Sequence, residues 1–219
     1  MHHRTPLAAL VLVAFAVACD GEAPTVPESD ATQPTAVAFS AQTTTGVPVL
    51  WFAGPTVVPG ASSKVTRNGS GATSTLHTSG LTPGYAYTLW MVVFNVPGEC
   101  ATTPCGEADV APGTSAVVDV VYVAGNVAGG SGKATFSGRR AAGDNSGSVF
   151  AQLSAPAPGI TDPHGAEMHL LVRDHGPAIP GQIPNQIMTF GGGCTLESSF
   201  GLGDGDYTCE DIQFSIHLP

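Results

Sequence analysis

The densest set of side chains able to do chemistry lies in one run, His164 to Pro180, which reads HGAEMHLLVRDHGPAIP. Read as a strand over Ala166 to Asp174, the run alternates from face to face. Met168, Leu170 and Val172 then enter a core, while Glu167, His169, Leu171, Arg173 and His175 share the opposite side. Imidazoles and a carboxylate on one side suit a zinc, copper or nickel ion. A straight strand, however, holds His169 and His175 about 20 Å apart, too far to ligate one ion. The compact grouping is Glu167 with His169 at i and i+2, joined by His217 if the final strand runs alongside. The same pattern also describes an exposed polar face or turn residues, and no metal or other cofactor is expected.

A second acidic set, Asp204-Gly205-Asp206 with Glu197, Glu210 and Asp211 nearby, offers carboxylate oxygens of the kind that bind calcium. It lacks the twelve-residue EF-hand pattern and reads as a solvated loop. No catalytic residue stands out, because the chain has no Gly-x-Ser-x-Gly elbow, phosphate-binding loop, HExxH or dinucleotide fingerprint.

The elements that must position these groups are short strands. Gly and Pro account for 28 and 18 of the 219 residues, and the β-branched and aromatic segments between them are brief. Helical periodicity is missing beyond the N-terminus, so the class is all-β. The central segment is Gly80 to Asn95, GLTPGYAYTLWMVVFN, whose strand puts Tyr85, Tyr87, Leu89, Met91 and Val93 on one face and Ala86, Thr88, Trp90, Val92 and Phe94 on the other. Both faces are apolar. One must therefore enter a sheet-on-sheet core and the other must lie under loops or a further layer. Further strands are expected at Ala36 to Gln42, Pro48 to Phe52, Ser63 to Arg67, Thr73 to Thr78, Ala116 to Ala124, Lys133 to Gly138, Ser148 to Leu153, Gln186 to Phe190 and Asp211 to Leu218.

Leu81-Thr82-Pro83-Gly84 followed by Tyr87 resembles the corner between the fifth and sixth strands of fibronectin type III domains. There a tyrosine hydroxyl fastens one sheet to the other while the ring fills the core edge. The resemblance covers Ser74 to Asn95 and implies an antiparallel Greek-key β-sandwich of the immunoglobulin and fibronectin kind; beyond Asn95 the chain departs from that family.

The N-terminal segment carries Arg4, eleven mostly apolar residues from Leu7 to Val17, and then Ala18-Cys19. Eleven residues are too few to cross a hydrocarbon layer about 30 Å thick, so residues 1–18 read as a signal peptide. Ala16-Val17-Ala18-Cys19 resembles the lipobox of bacterial lipoproteins, with Ala16 where the family usually has Leu. That resemblance implies cleavage before Cys19, lipid on its thiol, and a membrane partner through the lipid. Asp20 resembles the signal that retains enterobacterial lipoproteins at the plasma membrane, the outer membrane being the alternative. Residues 19–35 contain three prolines, four acids and one large apolar side chain, which makes them a tether, and residues 36–219 read as one domain.

Apart from Cys19, four cysteines remain in a chain read as exported, where an even number forms disulfides. Cys100 pairs most simply with Cys105, and Cys194 with Cys209. Without its first 18 residues the chain keeps six Lys or Arg against 17 Asp or Glu, which excludes nucleic acid as a charge-driven partner. The function expected is a binding or structural module of the bacterial envelope, with an envelope protein or glycan as ligand. The alternative is a metal protein or enzyme centred on His164 to His175.

Overall fold

The computed structural model describes residues 41–196 and 198–219. The segments expected to be a signal peptide and a tether, Cys19, most of the strand expected at Ala36 to Gln42, and Glu197 lie outside them. In the described part, nine strands run in the order β1 (Thr43–Val47), β2 (Leu50–Trp51), β3 (Ser62–Asn68), β4 (Gly71–Thr78), β5 (Tyr85–Phe94), β6 (Val118–Val127), β7 (Ala134–Ala141), β8 (Glu167–Pro177) and β9 (Glu210–His217).

They form two antiparallel sheets, one ordered β1-β3-β4-β7 and the other β2-β9-β8-β5-β6. β4 and β7 are neighbours in the first sheet, and their successors β5 and β8 are neighbours in the second. The connections β4 to β5 and β7 to β8 therefore both cross between sheets, as in Greek-key sandwiches. The core between the sheets takes Leu89, Met91 and Val93 from β5, Met168, Leu170 and Val172 from β8, and Val65, Leu76 and Phe136 from the facing sheet.

At the β4 to β5 crossing, the Tyr87 ring is 1% exposed and its hydroxyl accepts a hydrogen bond from the Thr82 amide at 2.9 Å. Gly84 holds the turn with a φ of +79°, a conformation that costs glycine little. The phenol thus satisfies a backbone donor at the bend that takes the chain from one sheet to the other.

The opposite face of β5 is buried as well. Trp90, Val92 and Phe94 join Val118 and Val120 of β6 in a second apolar cluster, roofed by Phe150, Phe190 and Cys105 from the long connections. Cys100–Cys105 and Cys194–Cys209 are both disulfides, with Cα separations of 5.3 and 5.4 Å, and both belong to these connections.

Two segments read as strands are helical. Ser148 to Leu153 contains α1 (Val149–Gln152), and Gln186 to Phe190 overlaps α2 (Ile183–Met188). In α1 the Ser148 hydroxyl caps the helix by accepting from the Ala151 amide at 3.1 Å. Val149, Phe150 and Leu153 then gather on one side at helical spacing, and a run this short does not reveal its period in the sequence. α2 carries Pro184 in its first turn and packs Ile187 against Gly125 of β6, where a Cβ would meet the Ile187 side chain at 2.6 Å. At the start of the domain, Ala41 and Gln42 are not extended into the sheet, and β1 begins at Thr43. The strand expected at Pro48 to Phe52 is reduced to Leu50–Trp51.

Candidate functional site

Cross-strand register builds the site on the outer face of the five-stranded sheet. Directly opposed residues of neighbouring strands share a face. Val120, Val92, His169 and Ile216 are successive partners from β6 to β9 and so form one row. The next row is Tyr122, Trp90, Leu171 and Phe214. In the row after that Arg173 stands opposite both Thr88 and Asp211, because an irregularity between Val172 and Arg173 shifts the pairing of β8 with β9. At about 4.8 Å between strands, a four-strand row is about 15 Å wide.

A cleft of about 500 Å³ opens over the first two rows. Val92, Val120, Leu171, Phe214 and Ile216 line its sheet side, and Phe190 and Phe200 come from the connection that carries the second disulfide. Phe52, 49% exposed, stands at the rim with its ring edge-on to Phe214 at 5.8 Å. Phe200 is held in the left-handed region with a φ of 64°, which strains a bulky residue, and packs between Phe150 and Phe190.

His169 is the polar group set into the apolar floor. Its Nε2 lies 2.6 Å from Glu167 Oε1, and the same oxygen accepts from the Cys105 amide at 2.8 Å. The ring proton is therefore on Nε2, and Nδ1, which has no hydrogen-bond partner among the described residues, presents a lone pair. Burial, only partly opposed by Glu167, holds the imidazole below its ordinary pKa. A neutral imidazole oriented by a carboxylate is able to accept a proton or a hydrogen bond. Ser199 lines the same cleft, but no hydrogen bond joins its hydroxyl to His169.

Arg173 is 1% exposed and stacks on Phe190 with Cζ 4.1 Å from the ring centroid. Its Nη1 donates to Asp211 Oδ1 at 3.2 Å and its Nε to the Phe190 carbonyl at 3.2 Å. Burial raises the Asp211 carboxyl, Arg173 pulls it back down, and Glu107 adds a like charge that raises it further. A second, more polar hollow of about 510 Å³ meets the cleft at Phe52, Glu107, Ser199 and Asp211.

The remaining expected residues are dispersed. His217 belongs to the opposite face of the sheet because its cross-strand partner is Met168 and not His169. Its ring lies between the sheets, 2.7 Å from Ser63 Oγ and 3.0 Å from Thr45 Oγ1, so the grouping of Glu167, His169 and His217 does not form. Burial, with the Arg67 guanidinium adding to it, pushes His217 down to about 4. His175 is fully buried beside the second disulfide, 2.9 Å from the Gly192 carbonyl, and burial takes it too down to about 4.

His175, Cys194 and Cys209 are the one His, Cys and acid cluster close enough for a metal among the described residues, but both sulfurs are bonded to each other. Asp204, Asp206, Glu210 and Asp211 form no such cluster among the described residues; the Asp204 carboxylate accepts from the Gly193 amide at 2.6 Å and from Asn185 at 2.5 Å and braces the loop.

Arg67 escaped the sequence reading. It is 1% exposed and donates to the carbonyls of His217 and Leu218 at 2.9 Å each. Its signal was parity, since it lies at steps of two along β3 from the core residues Ser63 and Val65. Compared with protein-family models, curated proteins and solved structures, the chain matches none of them.

Proposed function

We propose that this chain is an exported lipoprotein, anchored through Cys19, that serves the bacterial envelope as a binding module and takes a small apolar ligand into the cleft on the outer face of its five-stranded sheet. The anchor is inferred from the N-terminal sequence. The observation that carries the binding role is the cleft itself, an apolar hollow of about 500 Å³ with one oriented and partly unused polar group, His169, in its floor. Ligand sites have this makeup, with a mostly apolar lining and a few polar groups that fix orientation. A sugar chain brings many hydroxyls that this lining leaves unsatisfied, so an apolar small molecule fits better than a glycan.

Two experiments test the reading. Labelled fatty acid supplied to a bacterial host should mark the wild-type protein and not Cys19→Ser. Equal marking of both ends the lipoprotein part. For the cleft, Trp51→Phe leaves Trp90, whose ring centroid is 5.2 Å from that of Phe190, as the single tryptophan. Naphthalene should shift its emission and bind in equilibrium dialysis, and Leu171→Phe, which fills the floor, should abolish both. Undiminished binding by Leu171→Phe places the site elsewhere.

A further inference from the structure

We propose that the outer cleft selects amphiphilic cations, molecules with an apolar body and a positively charged or strongly hydrogen-bond-donating head. This inference rests on the reading of the cleft as the ligand site and adds the chemistry of what enters it.

The body is matched by the two apolar rows and their phenylalanine roof. The head is matched by what adjoins them. The polar hollow at the mouth is lined by four carboxylates, Glu107, Asp174, Glu210 and Asp211, and by one guanidinium, Arg173. Arg173 does not balance them. It is already bonded to Asp211 and stacked on Phe190, and its one unpartnered nitrogen, Nη2, is fully buried. Glu107 and Glu210 are exposed at the rim, and Glu107 and Asp211 line the cleft and the hollow alike. An anion approaching this mouth meets like charge with no free cation among the described residues to receive it, whereas a cation is drawn in.

A cluster of acids alone is common on an acidic protein. Here it adjoins a second feature that independently asks for a donor. His169 is only 9% exposed, lines the cleft, and is locked by Glu167 and the Cys105 loop so that its unpartnered Nδ1 offers a lone pair. Except for the Ser199 hydroxyl, the polar side chains lining the cleft, His169, Glu107 and Asp211, present acceptors. An ammonium or amide N–H satisfies them; a carboxylate or sulfonate does not.

The test uses three probes with one body and different heads, 1-naphthylmethylamine, 1-naphthylmethanol and 1-naphthoate, each measured by equilibrium dialysis against the oxidised protein at low salt. The amine should bind tightest, the alcohol next and the carboxylate weakest, with about tenfold or more between the two extremes. High salt should compress that ratio. Removing the two rim charges with Glu107→Gln and Glu210→Gln, both at exposed positions, should also compress it. If all three probes bind equally, or if the naphthoate binds best, the cation preference is wrong while the cleft remains a ligand site. If none of them binds, the cleft reading falls and the preference with it. A ratio that the double variant leaves intact overturns the assignment of the preference to this mouth.

Discussion

The two faces of the five-stranded sheet are buried by different means. Its inner face meets a second sheet, and the alternating apolar residues of β5 and β8 interlock with those of β3, β4 and β7. Among the described residues its outer face has no partner sheet. It is roofed by three long connections that bring in α1, α2 and two disulfides. A regular cover matches its sheet row by row and leaves little space. An irregular cover is assembled from pieces and leaves a gap where they meet, and in this molecule the gap holds the cleft and its polar groups. The comparison teaches that an irregular cover leaves room for a cleft where two paired sheets leave none.

The largest test of that contrast compares the faces at adjacent residues. Leu89→Ala on the inner face should cost about 2 to 5 kcal/mol and Trp90→Ala on the outer face about 3 to 5 kcal/mol, measured by urea unfolding under oxidising conditions. A Trp90→Ala protein as stable as wild type means that the roof contributes nothing.

Acid probes both faces through one histidine each. His217 on the inner side and His175 under the roof both have folded pKa values of about 4, below their ordinary 6.5. The unfolded chain then takes up protons first as pH falls, so the neutral histidines contribute stability that is full above about pH 6.5 and is lost between there and about pH 4. Each shift corresponds to an effect on the order of 3 kcal/mol. Burial raises the Asp119 and Asp174 carboxyls, which act in the opposite sense. The measurement is therefore the difference in pH slope between wild type and His217→Gln or His175→Gln. A slope unchanged by both variants would show that neither imidazole is held neutral.

Cross-links sharpen the contrast, since both belong to the roof. Replacing Cys194 and Cys209 by Ser should cost about 3 kcal/mol, and Cys100 with Cys105 about 2 kcal/mol, in the chain-entropy model. Hydrogen exchange should show the loosening in residues 97–116 and 178–209 before β3 and β4. Equal loosening of both sheets contradicts a roof that opens separately. The smallest effect belongs to the corner. Tyr87→Phe removes one hydroxyl, strands the Thr82 amide and should cost about 1 to 3 kcal/mol, read from the same urea curves.

Much of this was legible in the residues, for particular reasons. The two apolar faces of Gly80 to Asn95 required two covers, and Met168, Leu170 and Val172 announced an inward face by alternation alone. The disulfide pairs were set by local spacing. The features that stayed hidden depend on register, which alternation does not contain. His217 reads equally well as a neighbour of His169, and a slip of one residue between β8 and β9 would have put it there. The cleft was hidden for the same reason, because its rows join β6, β5, β8 and β9 across more than ninety residues of chain. Its roof comes from connections whose course no periodicity encodes.

The clasp between Arg67 and the last strand has a consequence in time. Arg67 donates to carbonyls 150 and 151 residues downstream, and the sheet partner of β2 is β9. An N-terminal fragment therefore lacks the His217 and Leu218 acceptors of Arg67 and leaves β2 with only its local bridge to Val57, and neither is completed until residues 210–218 arrive. Contacts so distant along the chain make for slow closure. Closing the sandwich thus waits on its C-terminal strand, which completes contacts begun at the start of the domain.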